Sequence, residues 1–84
     1  MDTRLLIPTT ELLDLAKRRV NLPGEPIWVD YDKEADTLFI KLSKSESVIS
    51  RTNEEDDGVI FDFDKKNNLV GIEILDLYGV YETA

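Results

Sequence analysis

The sequence predicts an α+β fold in which one N-terminal helix packs on a five-stranded antiparallel sheet built from two similar β-hairpins. Three observations support this prediction. The spacing of apolar residues is helical before residue 21 and alternates from residue 27 onward. Five short segments rich in β-branched and aromatic residues are separated by polar turns. One 14-residue segment also recurs, in altered form, 32 residues further along the chain.

The helix is predicted over residues 10–20, and a turn-rich linker follows over residues 21–26. Its apolar residues share one helical face, which must pack against the sheet: Leu12, Leu13, Ala16 and Val20. Three basic residues lie in the last turn, Lys17, Arg18 and Arg19. We expect them to complement the helix dipole and to pair with the acidic sheet rather than to bind nucleic acid.

The sheet is predicted over residues 27–76, and a tail follows over residues 77–84. The predicted strands are Ile27–Asp32, Thr37–Ser43, Ser47–Thr52, Val59–Asp64 and Leu69–Leu75. Because every connection is short, an antiparallel meander is the expected topology. The start of the tail is apolar, so it is expected either to cover the edge of the sheet or to extend into a neighbouring subunit.

The internal repeat predicts which residues share a face of the sheet. Val29–Leu42 aligns without gaps on Phe61–Ile74, with identical residues at four positions. One face is apolar throughout and is the expected core: Val29, Tyr31, Leu38, Ile40, Leu42, Phe61, Phe63, Val70, Ile72 and Ile74. The opposite face is mixed: Trp28, Asp30, Phe39, Lys41, Ile60, Asp62, Gly71 and Glu73.

Composition excludes several classes of protein. The 84 residues suit a single domain, and they include no cysteine or histidine. A disulfide-stapled fold and a thiolate or imidazole metal site are therefore excluded. The net charge of −8 disfavours binding to nucleic acid or anionic membranes. We expect a protein that is not an enzyme and needs no cofactor, because no serine has a histidine base. We also expect it to be cytoplasmic, because no segment is typical of a membrane span or a secretory signal.

The mixed face predicts a surface for a protein partner. Its aromatic and apolar residues are Trp28, Phe39 and Ile60, and the densest acidic run of the chain would form a rim: Glu54, Glu55, Asp56 and Asp57. Exposed aromatic residues ringed by polar groups are typical of interfaces. The leading hypothesis is a non-catalytic interaction module, homodimeric, with a small basic protein as partner. Two alternatives stay open: the linker or tail covers the apolar residues, and the acidic run is only a solvated loop.

A second hypothesis is a site for a divalent cation or small ligand. Its candidate ligands are Asp30, Asp32, Asp62 and Asp64, which are spaced two apart in each hairpin. An EF-hand loop starting at Asp30 would require glycine and glutamate where the chain has Ala35 and Lys41. We therefore favour aspartates that stabilise turns.

Three segments together resemble a known family. They are Val29–Leu42, Asp57–Asp64 and Leu69–Asp76, which contain VDYDKEADTLFIKL, DGVIFDFD and LVGIEILD. Over about residues 28–76 the chain resembles the domain of unknown function 2283, a group of small prokaryotic proteins. The resemblance implies a small sheet-containing fold without assigned catalytic residues, and an antitoxin-like role beside toxin-like proteins. Phe63 departs from the tyrosine usual in the family.

Overall fold

The computed structural model describes residues 7–79 and confirms the α+β fold. Its elements are α1 (Thr9–Lys17), β1 (Trp28–Asp32), β2 (Thr37–Lys41), β3 (Ile49–Thr52), β4 (Val59–Phe63) and β5 (Leu69–Ile74). The helix and the strands are slightly shorter than predicted. None of the helices formed by residues 7–79 is long and apolar enough to cross a membrane.

The five strands form one antiparallel sheet in the order β1-β2-β5-β4-β3. This order departs from the expected meander at one point, because β2 pairs with β5 instead of β3. Residues 42–48 carry the chain from β2 to the far edge of the sheet. The reason is burial: β2 and β5 are the strands richest in buried residues and lie inside the sheet, whereas all four residues of β3 are exposed. A largely polar strand tolerates the edge.

The two hairpins of the sequence repeat are related by a local two-fold axis. Ile40 in β2 lies directly opposite Ile72 in β5, and these residues are equivalent in the repeat. Within each hairpin the pairing is also equivalent, since Val29 lies opposite Ile40 and Phe61 opposite Ile72. The axis therefore passes through the sheet between Ile40 and Ile72. It relates the β1–β2 hairpin to the β4–β5 hairpin.

The core lies between α1 and the face of the sheet predicted to be buried. Its buried members come from the helix, from strands β2, β4 and β5, and from the residues after β5: Leu12, Ala16, Leu38, Ile40, Val59, Ile72, Ile74 and Leu77. Leu77 shows that the start of the tail covers the sheet of its own chain. Residues 80–84 of the predicted tail lie outside the described part of the chain.

Arg19 connects the end of the helical region to two distant segments. One of these contacts is with an acidic residue, as predicted. Its guanidinium donates two hydrogen bonds to the Asp56 carboxylate, with N–O distances of 2.7 and 2.8 Å. It also donates to the carbonyl oxygens of Leu75 and Asp76. We call this arrangement the Arg19 clamp. It fixes the β3–β4 loop and the end of β5 to the chain that follows α1.

Two of the four hairpin aspartates, Asp32 and Asp64, stabilise turns as expected, whereas Asp30 and Asp62 lie within strands β1 and β4. Asp32 Oδ1 accepts hydrogen bonds from the backbone amides of Glu34 and Ala35. Asp64 Oδ1 accepts them from the amides of Lys66 and Asn68, at 2.9 Å each. These bonds hold the Asp64 carboxylate in its charged form, and they lower its pKa below the usual value.

Candidate functional site

The face of the sheet opposite α1 carries the predicted interaction residues; we call it the outer face. Strand register arranges it in two rows. One row is Asp30, Phe39, Glu73, Ile60 and Thr52. The other row is Trp28, Lys41, Gly71, Asp62 and Ser50. All eight residues predicted for the mixed face therefore lie on it.

The structure brings two of the three predicted apolar residues together. Trp28, which is 53% exposed, lies on β1 beside β2, the strand that carries the half-buried Phe39. Ile60 lies on β4, three strand spacings from Trp28, which corresponds to about 14 Å across the sheet. Glu73 separates Ile60 from Phe39. The apolar surface is therefore centred on Trp28 and Phe39, and the described linker leaves Trp28 exposed.

The predicted acidic rim divides into two kinds of residue. Glu54, Glu55 and Asp57 are exposed in the β3–β4 loop, whereas Asp56 belongs to the Arg19 clamp. The clamp lowers the pKa of Asp56, chiefly through the hydrogen bonds from Arg19. The loop precedes β4, so it borders the Ile60 side of the outer face and not the Trp28 side.

A small pocket opens on the outer face where the two hairpins differ. Gly71 occupies the position equivalent to Phe39 in the repeat, so an aromatic ring on one side of the two-fold axis corresponds to a missing side chain on the other. The resulting cavity has a volume of about 150 Å³. Trp28 and Phe39 line one side of it, together with Lys41, Ser45, Ser47, Asp62 and Glu73. We call it the Gly71 pocket.

Two carboxyl groups interact in this pocket. Glu73 shares a hydrogen bond with Asp62, and Ser50 Oγ donates a hydrogen bond of 2.6 Å to Asp62 Oδ1. Burial, followed by the hydrogen bond and negative charge of Asp62, raises the pKa of Glu73 to about 7. Lys41 lines the same pocket but does not contribute to this shift. At neutral pH the Glu73 carboxyl group is therefore divided between its neutral and its charged form.

Sequence reasoning placed Glu73 on the mixed face but did not identify it as a site residue. The available signal was the repeat, which aligns Gly71 with Phe39 and Glu73 with Lys41. These two differences place a gap and a negative charge side by side in β5. Their significance depends on the β2–β5 pairing, which the sequence did not predict.

The structure does not bring the four candidate cation ligands together. Asp32 and Asp64 belong to turns at opposite ends of the antiparallel sheet, and Asp30 and Asp62 lie on strands separated by β2 and β5. Residues 7–79 contain no group of three or more side chains arranged to hold a metal ion. The outer-face pocket, which includes Asp62 but not the other three aspartates, is therefore the candidate site.

Comparison with known proteins places the chain in a family. Neither a curated protein nor a solved structure matches it. The model of the family described as "Protein of unknown function (DUF2283)" matches residues 28–77, which is more than half of the chain and includes every strand. Helix α1 and the linker lie outside the match. The chain belongs to the DUF2283 family.

Proposed function

We propose that this protein is a non-catalytic interaction module of the cytoplasm that binds a small basic protein through the outer face, around Trp28. The observation that carries the proposal is the exposure of Trp28 at the mouth of the Gly71 pocket. Tryptophan is among the residues that contribute most to binding at protein interfaces, because one ring buries a large area with few torsions to fix.

The surroundings of Trp28 support a protein partner. Ile27, next to it, is 52% exposed, and Phe39 adds a half-buried ring on the neighbouring strand. Large apolar residues that are adjacent and exposed indicate a contact surface more strongly than scattered ones do. Contact with a partner would remove this apolar surface from water.

The charge of the chain supports a basic partner. The net charge is −8, and acidic residues flank the outer face at the Gly71 pocket and in the β3–β4 loop. A negative surface attracts positively charged proteins and increases their rate of association. In its most specific form, the proposal is that the protein acts as an antitoxin that neutralises such a partner.

The test is capture of the partner with matched variants. Tagged wild-type protein, Trp28→Ser and Val48→Ser are each used to purify binding proteins from nuclease-treated native lysate, and mass spectrometry identifies what is bound. Val48 is 56% exposed and lies before β3, at the other edge of the sheet, so its variant controls for loss of an exposed apolar residue. Circular dichroism is used to check that both variants are folded.

We expect one small basic protein, in stoichiometric amount, with the wild type and Val48→Ser but not with Trp28→Ser. The recovered protein is then produced separately and titrated against all three forms. Equal capture by the wild type and Trp28→Ser, or no bound protein with either, would reject the proposal.

The homodimer predicted from the sequence remains a proposal. The exposed strand β3 offers an open sheet edge on which two copies would pair. Light scattering after size exclusion measures the mass directly. A mass near 9.6 kDa at all concentrations would exclude the dimer.

A further inference from the structure

We propose that the Gly71 pocket binds one lysine or arginine side chain of the basic partner, with its cationic head beside the rings of Trp28 and Phe39 and hydrogen-bonded to the carboxyl groups of Asp62 and Glu73. This inference rests on the proposed function and specifies the chemistry of the contact. It concerns the pocket itself, whereas the proposed function concerns the surface around it.

The size of the pocket favours a single side chain. Its volume of about 150 Å³ lies below the roughly 300–1,000 Å³ typical of pockets for drug-sized ligands. A nucleotide or comparable metabolite would extend far outside it. The end of one long side chain fits the available space.

The floor of the pocket is open because residue 71 has no side chain. A Cβ atom at this position would lie 3.2 Å from the carbonyl oxygen of Ile40 and 3.6 Å from Asp62 Oδ2, so any larger residue would occupy the space beside the carboxylate. Glycine inside a strand weakens the strand and often marks a place where another group approaches the backbone closely. In the equivalent position of the first hairpin the chain has Phe39 instead of glycine.

Two parts of the lining attract a cation, and their attraction must exceed the repulsion from Lys41, which also lines the pocket. Trp28 and Phe39 offer aromatic rings, whose faces attract ammonium and guanidinium groups. Asp62 and Glu73 offer carboxyl oxygens, which form the strongest hydrogen bonds with charged donors. An arginine or lysine is the side chain that uses both walls.

Binding is expected to depend on pH through Glu73. The charged groups that face it are Asp62 from β4 and Lys41 from β2, while Asp30 lies further along the same row on β1. The pKa of Glu73 is about 7 in the free protein, and a bound cation stabilises its charged form. A proton therefore leaves Glu73 on binding, and affinity increases with pH.

The size of this effect follows from the fraction of Glu73 that is ionised. With a pKa of about 7, roughly a tenth is ionised at pH 6 and nine tenths at pH 8. If the ionised form is the binding form, the apparent Kd is about tenfold higher at pH 6 than at pH 8.

The first experiment uses short peptides as probes. N-acetyl-Gly-Arg-Gly-amide and the same peptide with citrulline, which lacks the charge, are titrated into the full chain and followed by NMR. Trp28 is the only tryptophan, so its indole signal reports the pocket directly. We expect the arginine peptide to shift the signals of the Trp28 indole and the Gly71 amide, about tenfold more tightly at pH 8 than at pH 6. Equal shifts with both peptides would overturn the inference.

The second experiment uses the captured partner, the wild type, Glu73→Gln and the control Glu34→Gln. Both variants remove one negative charge, but Glu34 is exposed in the β1–β2 turn, outside the pocket and the acidic rim. We expect Glu73→Gln to bind more weakly at pH 8 and to lose the pH dependence, while Glu34→Gln retains it. If Trp28→Ser abolishes binding but Glu73→Gln binds like the wild type at both pH values, the pocket inference is overturned and the proposed function stands.

Discussion

Replacing Asp56 by asparagine tests whether the Arg19 clamp holds the fold together. The Arg19 side chain is only 7% exposed, and Asp56 is 26% exposed. The substitution keeps the shape of residue 56 but removes the charge that balances the guanidinium. The amide oxygen of the asparagine can still accept one hydrogen bond from Arg19, but its NH2 group faces the second guanidinium N–H in place of a carboxylate oxygen.

The expected loss of stability is large for a domain of this size. Breaking a buried ion pair costs about 3–5 kcal/mol, and the partial exposure of Asp56 reduces this to about 2–4 kcal/mol. A chain of 84 residues has a free energy of unfolding of about 4–13 kcal/mol. The melting temperature should therefore fall by about 10–25 °C.

Urea and thermal unfolding followed by far-UV circular dichroism measure this difference, with Asp57→Asn as the control. Asp57 is the exposed neighbour of Asp56, so its substitution should change stability by no more than about 0.5 kcal/mol. The reasoning is refuted if Asp56→Asn unfolds within that margin of the wild type, or if both variants lose the same stability.

Acid provides a second check on the same clamp. Arg19 lowers the pKa of Asp56 below 3.8, its value in the unfolded chain. The stability that the charged Asp56 contributes is therefore fully present well above pH 3.8 and is lost as pH falls through the lower pKa of the folded state. The difference between the wild type and Asp56→Asn should be constant from pH 6 to 8 and shrink below pH 4.

Three further predictions concern other parts of the fold. Gly58→Ala should lower the free energy of unfolding measured in urea, because the added Cβ would overlap the Arg19 guanidinium. This loss should be smaller when Arg19 is also replaced by methionine. Glu73→Gln should raise the melting temperature at pH 8 but not below pH 4.5, because the raised pKa of Glu73 makes its ionised form destabilising only at higher pH; equal shifts at both pH values would contradict this. Leu38→Ala should lower the free energy of unfolding by about 2–5 kcal/mol, whereas Trp28→Ser should leave it nearly unchanged. Similar losses for the two variants would show that Trp28 is a core residue.

The parts of the fold that the sequence predicted depend on local patterns. Alternation of apolar and polar residues identified five strands and the buried face, and Leu38, Ile40, Ile72 and Ile74 are buried there. Local alternation does not predict the order of the strands, because the order depends on which strands lie inside the sheet, with a neighbouring strand on each side. The exposure of β3 and the burial of β5 decide that β2 pairs with β5.

The candidate site was predicted only in part for the same reason. The sequence correctly placed Trp28 and Phe39 on one face, but it grouped Ile60 with them although three strand spacings separate Ile60 from Trp28. The Gly71 pocket was missed because it arises from the packing of β1, β2, β4 and β5 side by side. A contact between Asp62 and Glu73 likewise depends on the register of β4 against β5, which a β-bulge alters at Asp62 and Phe63.

The local two-fold axis between Ile40 and Ile72 makes the sheet resemble a dimer of hairpins fused into one polypeptide. Two separate hairpins would meet only at sufficient concentration, whereas a connecting chain keeps the partner permanently close, with an effective concentration in the millimolar range. Fusion also frees the halves to diverge. In a true homodimer every substitution appears twice, but here one half keeps Phe39 while the other has Gly71. An asymmetric pocket on a two-fold sheet is possible only because both halves belong to a single chain.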